Sequence, residues 1–433
     1  MNVKSGSGAT THPTPTPSPL PATPPARARR VVVLGAAGAM GRAAVASLAA
    51  MPEFTEIIAA DLDGAAASRV AEVAPHVRGV ALNVLTDDLD AALDGAWGVL
   101  SALGPFTTFG ELTLTAAIAA GCHYVDINDD WEPTLTALEH SEAAAAAGVT
   151  ALIGMGASPG VSNLLAARAA RELDEPRELL TGWPIGTLDA PAPGGPPNAA
   201  TMHFIHQTTG TVRVHRDGEA RLVAPLQQRT VPYPGYGPLE ARLIGHPEPV
   251  TLPRTFPGLS VSENLGIGPG WVFDAIRAVA ARVDSGEMTQ EDAARAVEAG
   301  FEKPADAAPY VRRSRRAPGL WAWASGLRAG IETHVSAELT RFPDGGMAGA
   351  TAIPAALGLQ LIARGSVKAR GVVTPEEAVD PGEFFALFEP FCVNPALSDD
   401  AAPFLLVASE PSATGTAGTT PFLGRGEAEA LPQ

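Results

Sequence analysis

The chain has 433 residues, 46% of them hydrophobic, enough to bury a substantial core in two or three domains. Its formal net charge of −17 argues against the clustered lysines and arginines that hold a phosphate backbone or an anionic membrane, so neither nucleic acid nor membrane is an expected partner. Two cysteines, Cys122 and Cys392, cannot build a disulfide framework, which fits a reducing, cytoplasmic setting.

Residues 1–27 are rich in Pro and Thr and nearly free of large apolar side chains, so they read as a disordered tail. Arg29-Arg30 before VVVLGAAGAMG resembles a twin-arginine export signal, but Arg42 ends the apolar run early and no targeting segment is read. No uninterrupted apolar run approaches the roughly 20 residues of a membrane helix. From residue 28 to 163, apolar runs alternate with helical stretches. The strands are Val31–Leu34, Ile57–Ala60, Gly98–Leu103, His123–Ile127 and Thr150–Ile153, and the helices Ala39–Ala50, Glu111–Ala120 and Trp131–Ala147. This order predicts an α/β, Rossmann-type doubly wound parallel sheet. Residues 164–345 change character. Thr201–His206, Thr211–His215 and Arg221–Val223 are short, turn-separated segments that predict an antiparallel sheet, with helices over Trp271–Val283 and Thr289–Ala299 and a strand over Thr333–Thr340. The second domain is therefore an inserted mixed α/β unit. Within 346–392, Ala348–Ala363 is an apolar helix that Pro354 can kink. Residues 399–433 read as a second disordered tail, although FLLV interrupts it.

Gly35, Gly38 and Gly41 stand in a GxxGxxG spacing between the first strand and helix. Gly35 permits the tight turn, Gly38 lets backbone approach a pyrophosphate, and Gly41 lets the helix pack on the strand. With Ala37, Ala39 and Met40 they form a cradle at a helix N-terminus, where free N–H groups and the dipole favour phosphate. Asp61 closes the second strand, where a carboxylate can accept the hydroxyls of an adenosine ribose. No Arg or Lys follows until Arg69, so the expected coenzyme is NAD in preference to NADP.

Three further stretches carry a family resemblance: SALGPFTTFGELTLTAAIAAGCHYVDIND (101–129), GMGASPGVSNLLA (154–166) and YPGYGPLEARLIGHPEPVTLP (233–253). With the glycine loop and TAIPAALGLQLIARGSVKARGVVTPEEAV (351–379), they are similar to the saccharopine dehydrogenase-like oxidoreductases, the group that includes saccharopine reductases, lysine 6-dehydrogenases and carboxynorspermidine dehydrogenases. The resemblance implies a homodimer whose second domain holds a small amino acid or amine, and a C-terminal segment that returns to the Rossmann domain. It also implies that Ser101, Leu103, Gly104 and Pro105 lie along the dinucleotide and that Ser158, Pro159 and Gly160 lie near the nicotinamide. Where saccharopine reductases place a carboxylate-binding Arg, HQTTG (206–210) has Thr209, which argues against saccharopine itself.

Amine oxidation or imine reduction needs a group that manages protons. Asp126, at a strand end on the coenzyme side, is the first candidate, with Tyr124 on the same strand face and His246 in GHPEP beside it. His123 and His203 are further candidates, His206, Thr209 and Glu248 are expected to contact substrate, and Arg242 or Arg254 can anchor a carboxylate. No metal-ligand spacing such as HExxH is present, so no metal is expected, and GASPG is not a hydrolase elbow. Three activities remain open: a dehydrogenase or reductase at a C–N bond, a homospermidine-synthase-like transferase that borrows and returns hydride, and a non-catalytic dinucleotide binder.

Overall fold

The computed structural model describes residues 29–185, 197–304, 317–395, 403–412 and 429–430. The N-terminal tail reading lies outside them. Six parallel strands, β1 (Arg30–Leu34), β2 (Glu56–Asp61), β3 (Val77–Ala81), β4 (Gly98–Ser101), β5 (His123–Asp126) and β6 (Thr150–Leu152), form the first sheet. Gly371–Val373 adds to β6, giving the order 371–373, β6, β5, β4, β1, β2, β3. Val31, Val33, Ile57 and Leu100 enter one core, while their neighbours Val32, Leu34, Ile58 and Val99 enter another. A sheet covered on both faces has no solvated side, which is why its strands read as unbroken apolar runs. β3 (VRGVA) lacks such a run and escaped the sequence reading; it is the edge strand.

The second sheet is mixed. Glu175–Pro184 pairs in parallel with Val261–Ile267 and antiparallel with Trp321–Arg328, which continues to Ile331–Leu339. Helix Val161–Ala170 lies between the two sheets with every residue but Arg168 buried, and one core runs through it from Val33 and Leu100 to Leu179 and Val335. The sheets are thereby fixed relative to each other across the carboxyl edge of the first.

Three expectations are corrected. Thr201–His206 belongs to a helix, Ala199–His206, rather than a strand; the Asn198 side chain accepts the Ala200 N–H at 3.0 Å, and adjacent Phe204 and Ile205 are both buried. Six residues cannot separate the two periods when a cap decides the outcome. Leu405–Pro411, inside the presumed C-terminal tail, is a strand along Ile331–Leu339, and Phe404 packs on Phe385 and Phe388. The FLLV run buries enough apolar surface to order it. Gly346–Arg364, read from the sequence as the apolar helix Ala348–Ala363, is by length and composition able to cross a membrane, contrary to the expectation that no run is, but it is packed against the parallel sheet: a Cβ on its Gly358 would touch Met155 and Leu152, and Leu359 lies against Gly98. Finer differences are small. The stretch Trp131–Ala147 divides at His140 into two helices.

Candidate active site

Register brings the strand ends together. Leu34 pairs with Ala60 and with Ser101, and Ser101 with Asp126, so one rung defines the carboxyl edge of the parallel sheet. Ligands of open α/β sheets bind outside this edge.

The glycine loop has the geometry a diphosphate requires. Gly35 has φ +75, and a Cβ there would stand 3.0 Å from the Ala102 oxygen. A Cβ on Gly41 would lie 2.0 Å from the Gly35 oxygen, so only glycine lets the helix Ala39–Ala49 sit this close. Gly38 has ordinary φ and meets only the Gly35 oxygen, at 3.3 Å; its missing side chain leaves open space. No side chain caps this helix and its first turn has no acid, so the N–H groups around Ala39 and Met40 face an open cradle. Asp61 accepts the Ala37 N–H at 2.8 Å and the Asp63 N–H at 3.1 Å, and Arg42 donates to the Ala37 carbonyl. The residues present therefore fit a dinucleotide.

Asp126 and Tyr124 are both buried on β5. The Asp126 carboxylate is buried and accepts N–H groups from Gly154 at 2.7 Å and Asn128 at 3.1 Å; loss of hydration raises its pKa to about 6 despite them. Tyr124 is fully buried, with its hydroxyl 3.1 Å from that of Thr113. His123 accepts the Thr150 N–H at 3.1 Å and stacks beside Trp97. Thr209 does not present its hydroxyl to a cleft, because it bonds back to the Ile205 carbonyl at 2.8 Å. Arg242 lies over the Phe273 ring.

Two histidine–carboxylate groups occupy the seam between the sheets. In one, buried His246 places Nδ1 3.3 Å from Glu248, which is itself fully buried. The same carboxylate accepts from Ser158 at 2.7 Å, Ser162 at 2.8 Å and Asn264 at 3.0 Å. Burial opposes charge on both partners, but each stabilises the other's ion, so His246 titrates above its ordinary value and Glu248 below it. Ser158, expected near the nicotinamide, thus has its hydroxyl in the Glu248 network. The Pro159–Gly160 turn closes tightly on Gly156, where a Cβ on Gly160 would come within 2.2 Å of backbone.

In the other group, His203 Nδ1 lies 3.0 Å from Asp129 and 2.9 Å from Asp130. Neither carboxylate is in line with the ring N–H, so these are ion pairs rather than aligned hydrogen bonds. The loop carrying both acids is held by Asn128, which bonds to Thr134 at 2.8 Å and to the backbone of Asp130 at both its ends. Gln207 donates to the Asp129 carbonyl and carboxylate at 3.0 and 3.2 Å. Burial disfavours the imidazolium, but Asp129 and Asp130 outweigh it and raise the His203 pKa to about 11, while His203 holds Asp129 below the usual carboxyl range. His206, more exposed, sits 3.4 Å from Glu132. The Asp129–His203 contact joins residues 74 positions apart, so no spacing rule reveals it; the signals available were the Asp-Asp doublet just past a strand end and a helical His-x-x-His pair.

The parallel sheet with its glycine loop and the mixed second sheet form a Rossmann-like fold, and its first part is similar to the saccharopine dehydrogenase kind of dinucleotide-binding domain. Residues 31–152 match the family model described as "Saccharopine dehydrogenase NADP binding domain". A carboxyaminopropylagmatine dehydrogenase from Synechocystis sp. is 27% identical over 246 residues, covering 53% of this chain and 60% of its own length. Among solved structures, saccharopine dehydrogenase (L-Glu forming) from Saccharomyces cerevisiae aligns with TM-score 0.57 at 16% identity, over 88% of this chain and 100% of that one. Homospermidine synthase from Legionella pneumophila, solved with NAD, aligns with TM-score 0.56 at 14% identity, over 92% and 94%. At these identities the two structures establish the fold.

Proposed function

We propose that the chain catalyses hydride transfer at a carbon–nitrogen bond of an amino acid or amine, as a dehydrogenase or reductase with NAD preferred over NADP. The observation that carries this reading is the pair of histidine–carboxylate groups at the carboxyl edge of a dinucleotide-binding sheet, a proton-handling set beside the place where the coenzyme's reactive ring belongs. The name of the Synechocystis relative, a dehydrogenase of an agmatine derivative, supports an amine substrate. When bound, the dinucleotide supplies the hydride chemistry. Around it, Gly35, Gly38, Gly41 and Asp61 hold phosphates and ribose, and the stretch from Ser101 to Pro105 lines the groove. His246 and Glu248 fix the charge state of the seam around Ser158, while His206 and Glu132 stand at its more open side. In this reading residues 28–163 bind coenzyme, 164–345 bind substrate and form a homodimer, and 346–392 close on the first unit. The protein acts in the cytoplasm.

The test is a screen of lysine, ornithine, diamines and keto-acid/amine pairs with both coenzymes, followed by absorbance of the reduced nicotinamide. Net change in that absorbance with an amine or amino acid is the expected result. Product without net change would instead indicate a transferase, and coenzyme binding with no turnover on any pair would overturn the enzymatic reading.

A further inference from the structure

Resting on that reading, we propose that His203 is the resident proton donor of the reaction, delivering its Nε2 proton to the substrate nitrogen while Asp129 and Asp130 hold the ring as an imidazolium. The geometry has two parts. Nε2 is directed at the loop after β4: a Cβ built on Gly104 would meet a single neighbour, His203 Nε2, at 3.4 Å. Nδ1, the far side of the ring, faces both carboxylates. One nitrogen thus faces the carboxylates and the other faces the loop after β4. A side chain at position 104 would fill the gap between them.

The carboxylates nearest the ring favour the acid form, and each cation that opposes it is paired with a carboxylate of its own. Asp129 and Asp130 come from the loop after β5; His206, one turn along the same helix, opposes them but is matched by Glu132; and His246 across the seam is matched by Glu248. A histidine kept charged at neutral pH carries a proton and cannot act as a base, so the site suits imine reduction, in which the nitrogen becomes basic enough to take that proton as hydride reaches the carbon. In that step a reduced nicotinamide contributes two electrons and a hydrogen to carbon. The C=N π pair moves to nitrogen and forms an N–H bond as the Nε2–H bond of His203 breaks, and solvent later restores the imidazolium. Asp129, Asp130 and His203 are also close enough to ligate a metal; a bound ion would take the space between the carboxylates and Nδ1 and leave no imidazolium there.

The decisive measurement needs no substrate. In NMR titration of the full chain, assigned by loss of the signal in His203→Gln, the His203 ring should remain charged to pH 9, and Asp130→Asn should bring its titration down toward the ordinary histidine range. Titration of the wild-type ring at or below pH 6.5, or stoichiometric zinc on the purified protein, overturns the proposal. With the amine and keto-acid pair that turns over in the screen, His203→Gln should lower kcat about 100- to 1,000-fold while coenzyme affinity changes less than threefold. In Asp130→Asn the fall of kcat at high pH should begin at lower pH. A His203→Gln enzyme that binds coenzyme and keeps both rate and pH profile also overturns it. If no pair turns over with wild-type protein, the enzymatic reading fails, and the titration alone still decides whether His203 is a held imidazolium.

Discussion

In the parallel sheet the inner strands are largely apolar through their middles and the carboxylates stand at or just past their carboxyl ends, at Asp61, Asp126 and the Asp129-Asp130 loop, whereas the second sheet buries Glu263 in the middle of a strand between Arg216 at 2.5 Å and Arg229 at 3.0 Å. Arg229 extends the chain of charges to Glu178 at 2.6 Å. The first arrangement leaves an edge whose backbone and side chains are available to a ligand. The second spends its charges on one another, and what it gains is a fixed register among strands 216, 229, 263 and 178. Buried polarity in this protein therefore has two meanings, told apart by whether the partners close the set.

The sharpest way to break the comparison is at the glycine loop. Gly41→Val forces a side chain into the Gly35 backbone oxygen 2.0 Å away, and neither group is the flexible end of a side chain. Coenzyme binding should be lost and stability should fall by about 3 kcal/mol, read by calorimetry and denaturant melts. Retained affinity would mean that the loop is not the cradle. Arg229→Met probes the closed set. It leaves Glu178 without that partner and Glu263 with Arg216, so the loss should be about 3 kcal/mol, the low end for breaking a buried pair, with coenzyme affinity unchanged. A matching drop in affinity would show that the second sheet is not energetically separate from the edge.

The same contrast explains what was legible in the sequence. Runs such as VVVL and EIIAA announce a doubly covered sheet because hydrophobicity alone specifies it, and the glycine spacing located the coenzyme loop. Helix Ala199–His206 was misread because its type is decided by the Asn198 cap and by packing, and with it His203 was placed on a solvated strand. Asp126 is legible as a strand-end acid, yet the Gly154 and Asn128 N–H groups that meet its Oδ1 belong to loops whose approach no local pattern encodes. A histidine–carboxylate cluster assembled from residues 74 positions apart is a tertiary object.

Glu376 sits on the boundary between the two cases. It is buried, accepts from Asn163 at 2.9 Å through one oxygen, and loss of hydration raises its pKa from 4.5 to about 7. Because the folded value is the higher one, its stabilising contribution is complete below about pH 4.5 and is lost as pH rises through about 7. Glu376→Gln keeps an acceptor for Asn163 and removes the ionisation. Thermal melts should show wild type losing up to about 3 kcal/mol relative to the variant between pH 5 and 9. Parallel melting curves would mean that Glu376 is charged and paired in the fold, like Glu263.

The smallest effect, and the most specific, concerns the edge. Asp61 braces the Ala37 N–H at 2.8 Å and, on the proposed reading, also accepts the hydroxyls of a ribose, so Asp61→Ala removes two things at once. Loss of the brace weakens the loop for either coenzyme equally. Loss of the acceptor weakens only a ribose that has free hydroxyls, whereas a 2′-phosphate gains from removal of a like charge. The ratio of affinities separates the two, since the shared part cancels. NAD should weaken about tenfold relative to NADP, the size of one charged hydrogen bond. An unchanged ratio would assign Asp61 wholly to the loop and leave coenzyme choice to residues beyond it, of which Arg42, already held at the Ala37 carbonyl, is the nearest cation in the loop.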